Sequence, residues 1–220
     1  MPPIGPIYCE TPVGAFLFPA EPVNFYSNAI IVAFGLVALL YALRRRLGPD
    51  VVALAILLTL TGVGSFLWHG YRTPLSLALD VLPGLLFLFL FVYAWARRLM
   101  PVAYSVLFLG TFLVLAYALS YALMALVPVS GPPVGVVAAV VVSAAFLSVL
   151  SARRYGSIAL VAVLSVAASL SAFGFRTIDL FTCDLIPFGT HFLWHIFLSL
   201  GAFLGIVFLV LVDRERARLD

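Results

Sequence analysis

Seven long apolar segments alternate with short polar connections along the chain. Each segment holds about 20 residues, the length that a helix needs to cross the roughly 30 Å hydrocarbon core of a bilayer. The predicted spans are residues 23–43, 51–69, 76–96, 102–123, 133–151, 155–173 and 188–212. The pattern therefore predicts an all-α polytopic membrane protein, folded as one domain over residues 1–220 into a bundle of seven transmembrane helices.

Composition agrees with a multi-pass integral membrane protein. The chain is 65% hydrophobic and 10% charged, with a mean hydropathy of +1.21, whereas soluble domains are roughly 25% charged. A soluble enzyme is therefore excluded. Since basic residues of membrane proteins mainly set topology, we expect membrane lipids as partners and no nucleic acid.

The arginines indicate how the bundle is oriented. Ten of the twelve lie in alternate connections or at the carboxyl terminus. These clusters begin at Arg44, Arg97, Arg153 and Arg214. Because arginine-rich connections face the cytoplasm, the pattern predicts an outside amino terminus and a cytoplasmic carboxyl terminus. The remaining two, Arg72 and Arg176, fall on the outer side.

The three histidines fall at similar predicted depth. His191 and His195 are four residues apart, so on a helix they share one face and lie about 6 Å apart along the axis. They occupy the first turns of the seventh predicted helix, and His69 lies at the outer end of the second. Three imidazoles with a free fourth position favour zinc. A haem held by His69 and one of the pair is an alternative.

Two polar residues lie near this depth in apolar segments. Asp80 lies well inside an apolar run, where a carboxylate needs a cation, a donor or a proton. It could act as a general base or only orient a histidine. Ser65 shares a helix face with His69 and could donate to an oxyanion, hold a water or bond to its own helix. A serine protease built on Ser65 and a histidine is a further alternative, but it leaves the spacing of His191 and His195 unexplained.

The two cysteines lie on the same predicted side of the membrane. Cys9 precedes the first helix and Cys183 lies between the sixth and the seventh, so the arginine pattern alone places both outside. An oxidising exterior would allow a disulfide between them, and two free thiols are the alternative.

Three ordered motifs resemble those of the alkaline ceramidases, seven-helix membrane amidases that share a superfamily with the adiponectin and progestin receptors. The motifs are Gly62-Val-Gly-Ser-Phe-Leu-Trp-His69, Leu79-Asp-Val-Leu-Pro83 and Gly189-Thr-His-Phe-Leu-Trp-His195. The resemblance extends from about Cys9 to about Gly201. It is specific because the motifs occur in the family's order and on the matching segments.

The resemblance implies a zinc-dependent hydrolase of the amide bond in ceramide-like lipids, which releases a fatty acid and a sphingoid base. Zinc would be held by His69, His191 and His195. Asp80 would take the proton of the attacking water, and Ser65 would donate to the developing oxyanion. The resemblance also implies a disulfide joining the two cysteines. The active site would lie near the outer, non-cytoplasmic face.

A calcium site in the amino-terminal segment is a further implication of the resemblance. Glu10 and Glu21 match the family's two glutamates in identity and separation. Ile7 stands where an aspartate is expected, and Pro12 stands where an asparagine is expected. Calcium takes six to eight oxygen ligands, so two glutamates make a poor cage. The residues therefore favour two solvated glutamates at the start of a helix.

Other functions are compatible with the same residues. A receptor-like or lipid-sensing member of the superfamily would hold zinc for structure. A zinc hydrolase for another lipid bond, such as an ester or a phospholipid, would use the same activated water. If replacement of Asp80 or Ser65 by alanine abolished turnover but left zinc bound, the result would favour the amidase. Nothing in the residues indicates an oligomeric state.

Overall fold

The structure is a computed structural model that describes residues 5–14, 17–126 and 134–219. These residues form helices and no strand, which confirms the all-α class. The α-helices in this part of the chain are α1 Pro22–Ser27, α2 Ala29–Arg45, α3 Pro49–Tyr71, α4 Pro74–Leu99, α5 Val102–Leu126, α6 Val134–Tyr155, α7 Ala159–Ile178 and α8 His191–Leu219.

Within the described residues, six helical stretches are long and apolar enough to cross a membrane. They are Pro22–Arg45, Pro49–Tyr71, Pro74–Leu99, Val102–Ala122, Gly135–Phe181 and His191–Arg218. The fifth has 47 residues and contains both α6 and α7, because only a short 3-10 turn at Gly156–Ile158 separates them. The stretches indicate a multi-pass membrane protein. The count of seven spans and the orientation of the termini stay predictions.

Local sequence explains where several helices begin. Prolines occupy the first positions of α1, α3 and α4, where a missing backbone N–H costs nothing. Thr73 and Ser76 cap α4 by exchanging hydrogen bonds between side chain and backbone. The last helix begins at His191, later than the predicted residue 188, because Gly189 adopts a left-handed conformation with φ of +66°.

Glycines let the helices near the histidines approach closely. A side chain at Gly62 would place its Cβ 2.8 Å from the backbone nitrogen of Val32 on α2. A Cβ at Gly64 would overlap the carbonyl oxygen of Leu79 and lie 2.7 Å from the backbone nitrogen of Asp80. Because α3 contacts α4 backbone to backbone here, residues beside Gly64 lie next to the start of α4.

Two of the six apolar stretches, those of α3 and α8, are the most enclosed by their neighbours. α3 packs between α2 and α4, and α8 packs along α7 and contacts α2, α3 and α4. The buried core joins these helices through side chains such as Leu54, Trp95, Phe208 and Leu209. The histidines therefore lie on the two central elements of the bundle.

An ion-pair cluster around the buried Arg98 ties the other end of the bundle together. The guanidinium of Arg98 donates to Asp50 at 2.8 Å and to Asp213 at 2.5 Å. The Tyr155 hydroxyl donates to the carbonyl oxygen of Arg98 at 2.7 Å. Asp50 lies in the first turn of α3 and His69 in its last turn, so this cluster and the histidines occupy opposite ends of that helix.

Candidate metal centre

α3 and α8 bring the three histidines together. The ring centroid of His69 lies 5.2 Å from that of His191 and 4.9 Å from that of His195. The centroids of His191 and His195 are 4.7 Å apart. All three side chains are buried, and one nitrogen from each lies within 4.8 Å of the others. The three residues could therefore hold a metal ion, and no other such group occurs in the described part of the chain.

Hydrogen bonds fix two of the rings with a nitrogen left for a metal. Nδ1 of His69 lies 2.5 Å from the Glu21 carboxylate, which only accepts, so this nitrogen carries the proton. Nδ1 of His195 lies 2.7 Å from the Ser27 hydroxyl, whose own proton is donated to the Asn24 carbonyl oxygen at 2.9 Å. Nδ1 of His195 is therefore also the donor. In both rings Nε2 keeps its lone pair, as a metal ligand requires.

The third ring, His191, has a different environment. The ring of Tyr8 stacks on it with centroids 3.8 Å apart and an interplanar angle of 21°. Nη1 of Arg176 donates to the Tyr8 hydroxyl at 3.1 Å and lies 3.3 Å from His191 Nδ1. A guanidinium only donates, so this contact leaves the ring proton of His191 on Nε2. A metal bound through Nε2 of His191 would therefore require that proton to move to Nδ1 and the contact with Arg176 to be released. Burial raises the pKa of Tyr8, so its hydroxyl stays protonated. An arginine on α7 and a tyrosine from the amino-terminal segment thus border the cluster.

The structure brings Ser65 and Asp80 together. Ser65 is buried on α3, four residues before His69, and the close approach at Gly64 places α4 against it. The Asp80 carboxylate interacts with the Ser65 hydroxyl and lies within electrostatic range of Arg176 and Glu21. Both predicted catalytic residues therefore share the neighbourhood of the histidines. Their roles stay predictions.

Cys9 and Cys183 form a disulfide, as predicted. The bond joins segments 174 residues apart and holds the amino-terminal segment against the turn that precedes α8. The backbone N–H of Cys9 also donates to the Asp179 carboxylate at 3.0 Å. Tyr8, the residue before Cys9, is thereby kept against His191.

Asp179 positions the start of α8. One oxygen of this buried carboxylate accepts from the backbone N–H groups of Thr190 at 2.7 Å and His191 at 2.9 Å. These donors have no partner within the helix, so Asp179 caps it from another segment. A Cβ at Gly189 would overlap the same carboxylate, which leaves glycine as the residue that fits there.

The prediction of two solvated glutamates is wrong for Glu21. Its carboxylate is fully buried and accepts from Thr11 Oγ1 at 2.6 Å, in addition to His69, and pairs with Arg72 at 3.0 Å. Glu10 accepts from two backbone N–H groups at the start of α1, 2.7 and 2.9 Å away. Both carboxylates are engaged by protein donors and one is neutralised by an arginine, so they do not fit a calcium cage.

Sequence reasoning missed several residues that support the cluster. They are Tyr8, Ser27, Arg72, Arg176 and Asp179. The two arginines carried a signal: among the twelve they are the exceptions to the cytoplasmic clustering. Tyr8 and Asp179 had no signal of their own, because their contacts join segments that are distant in the chain.

A buried set of three imidazoles within a bundle of apolar helices defines a membrane protein with a candidate metal centre. The family model for ceramidases matches residues 7–219, nearly the whole chain, and the chain therefore belongs to the ceramidase family. This membership implies a hydrolase of amide bonds with a lipid substrate. A search of curated proteins found no match to the chain.

Proposed function

We propose that this protein is a zinc-dependent hydrolase, embedded in the membrane, that cleaves the amide bond of ceramide-like lipids. The observation that carries the proposal is the buried cluster of His69, His191 and His195 in a chain of the ceramidase family. The cluster lies on the two most enclosed helices, where imidazoles without a shared ligand would be costly to bury.

Zinc fits the donor set better than the hard cations magnesium and calcium do. Three neutral nitrogen ligands leave one position open in a tetrahedral site, and hard cations such as magnesium and calcium prefer oxygen. The fixed tautomers of His69 and His195 present Nε2 to a metal. When bound, zinc supplies Lewis-acid chemistry, which polarises a carbonyl and lowers the pKa of water towards about 7.

Two residues of the chain supply proton transfer and stabilisation of negative charge. The Asp80 carboxylate accepts a proton from the water that attacks the amide carbon. The Ser65 hydroxyl donates to the oxygen on which negative charge develops. A carbon–oxygen bond forms, the carbon–nitrogen bond breaks, and the amine nitrogen takes up a proton. A fatty acid and a sphingoid base result.

The proposal is tested with purified protein in detergent. Bound metal is measured, and fatty-acid release is assayed from ceramide and from a phospholipid. We expect about one zinc per chain, release from ceramide, and loss of both in His69→Ala. Absence of zinc in the wild type, or equal release by His69→Ala, would overturn the proposal. Zinc without turnover would favour a lipid sensor, and release from phospholipid alone would favour another lipid hydrolase.

The roles of Asp80 and Ser65 give the first specific prediction. Asp80→Asn and Ser65→Ala should each lower the rate at saturating ceramide by about 100-fold or more while zinc stays bound. The exposed residues Asp184 and Ser171 provide matched controls, and Asp184→Asn and Ser171→Ala should keep the wild-type rate. A rate within twofold of wild type in either test variant would exclude that residue from catalysis.

We also propose seven spans, with the histidines near the outer face. The disulfide supports this count, because Cys9 and Cys183 must lie on the same side of the membrane. Five crossings between them would put them on opposite sides. The stretch Gly135–Phe181 has to cross twice to give six, and its break at Gly156–Ile158 lies near its middle.

A further inference from the structure

Arg176 is a guanidinium beside the histidine cluster, and it has no acidic partner among the described residues. Among the described residues, the buried Arg72 pairs with Glu21 and the buried Arg98 pairs with two aspartates. Arg176 is half-buried on α7, and its contacts with described residues are all to neutral groups: the Tyr8 hydroxyl, the His191 ring, and the faces of Tyr8 and Trp194. A cation in this position favours an anion.

The donors of Arg176 are only partly used. Both of its hydrogen-bond contacts with described residues are made by Nη1. Nε and Nη2 of Arg176 make no hydrogen bond with the described residues. Neither atom is among the fully buried polar atoms that lack a hydrogen-bond partner. Together Nε and Nη2 form the edge of the guanidinium that binds a carboxylate through two parallel hydrogen bonds.

The charges around the cluster also favour an anion. Glu21 is balanced by Arg72. Asp80 and Arg176 carry opposite charges but form no ion pair among the described contacts. These side chains sum to zero before any metal binds. A divalent ion would add two positive charges to a poorly hydrated site, and an anionic ligand would lower that cost.

We propose that Arg176 forms a carboxylate-binding subsite beside the metal centre, which holds the carboxylate of the released fatty acid. The identity of this ligand rests on the proposed function, because amide hydrolysis turns an uncharged acyl group into a carboxylate. Nε and Nη2 of Arg176 donate to the two carboxylate oxygens. The Tyr8 hydroxyl, held by Nη1, limits rotation of the guanidinium.

The test compares dodecanoate with dodecanol, which has the same chain length without the charge. Binding is measured by calorimetry in detergent, with the protein stripped of metal by a chelator so that a metal cannot hold the carboxylate. We expect wild type to prefer dodecanoate by about 10-fold or more. Arg176→Gln should lose this preference, and Arg176→Lys should keep part of it, because an ammonium keeps the charge but not the paired donors.

The exposed Arg153 on α6 provides a matched control, and Arg153→Gln should keep the wild-type preference. A preference retained in Arg176→Gln, or absent from wild type, would overturn the subsite and indicate that Arg176 only supports Tyr8 and His191. Circular dichroism of each variant verifies that the helices are intact.

Kinetics separate this inference from the proposed function. With ceramide as substrate, Arg176→Gln should weaken inhibition by added dodecanoate about 10-fold and change KM less. If ceramide is not hydrolysed while dodecanoate still binds through Arg176, the subsite stands and the proposed function fails. If ceramide is hydrolysed but the variant binds dodecanoate as wild type does, the proposed function stands and the subsite fails.

Discussion

Glu21 connects three parts of the site through one buried carboxylate. It accepts from the ring of His69, pairs with Arg72, and accepts from the Thr11 hydroxyl. The Arg72 guanidinium is itself held by the Pro6 carbonyl oxygen at 2.7 Å and lies 4.1 Å from the centroid of the Trp68 ring. The orientation of a metal ligand therefore depends on residues that lie behind it.

This arrangement predicts the effect of Glu21→Gln. The amide can still accept from His69 but no longer carries the charge that raises the basicity of the ring, so metal affinity should fall about 10- to 100-fold. Competition with a chelator of known affinity measures the change. Glu215→Gln, near the exposed end of α8, should leave the affinity unchanged. An unchanged affinity in Glu21→Gln would show that Glu21 is not needed to orient His69.

At the scale of elements, two glycines determine how the helices that carry the site meet. Gly64 permits the contact between α3 and α4 that places Asp80 beside Ser65. Gly189 provides the left-handed turn and the space that let Asp179 cap α8 next to His191. A Cβ at Gly64 would meet the backbone of α4, and a Cβ at Gly189 would meet the carboxylate of Asp179. The first can move only with the helix, and the second only with loss of the capping hydrogen bonds.

Gly64→Ala should therefore separate α3 from α4. We expect a loss of stability of about 1–3 kcal/mol from overpacking, together with lower hydrolytic activity. Gly174 on α7 is the matched control: among the described residues, no atom beyond its own helix backbone and chain neighbours lies within 4 Å of its Cβ position. Alanine should stabilise that helix by up to about 1 kcal/mol. Thermal unfolding in detergent measures both. Equal stability of Gly64→Ala and wild type would contradict the backbone contact.

At the scale of the whole molecule, three segments form a cover over the histidines. The amino-terminal segment, the turn before α8 and the end of α7 meet through the disulfide, Asp179 and Tyr8. The opposite end of the bundle is closed by Arg98 and its two aspartates. The two ends of the bundle thus use different chemistry, and α8 takes part in both.

Removal of the disulfide should weaken the cover. Cys9→Ser with Cys183→Ser should lower the melting temperature and the retention of metal, because the bond restricts the unfolded chain and keeps Tyr8 against His191. Addition of a reductant to wild type should reproduce the effect, and the reductant should not change the double variant. A melting temperature that is the same for wild type and the double variant would exclude this role.

Topology is tested in sealed, right-side-out vesicles with a maleimide that does not cross membranes. In a background without native cysteines, Asp184→Cys should react at once, and Arg153→Cys should react only after permeabilisation, because the proposed seven spans with an outside amino terminus would place residue 184 outside and residue 153 inside. Protection of Asp184→Cys in sealed vesicles would contradict the seven-span arrangement.

Much of the site was accessible from local sequence. The shared helix face of His191 and His195 could be predicted from their spacing, because a helix repeats every 3.6 residues. The positions of the arginines along the chain predicted a similar depth for His69. The burial of Glu21 could not be predicted from local sequence. A glutamate at a helix start is usually solvated, and the partners that bury it, Arg72 and His69, lie about 50 residues away.

The sequence by itself determined that the protein is helical and membrane-embedded, which residues are candidates for metal binding and catalysis, and which cysteines could pair. These properties follow from hydropathy, helical period and charge, which are local. The tertiary structure alone decided which tautomers the rings of His69 and His195 adopt, that Glu21 is bound to Arg72, and that Arg176 lies beside the histidine cluster with no acidic partner in the described part of the chain. These depend on contacts between segments far apart in the chain, and no local pattern encodes their geometry.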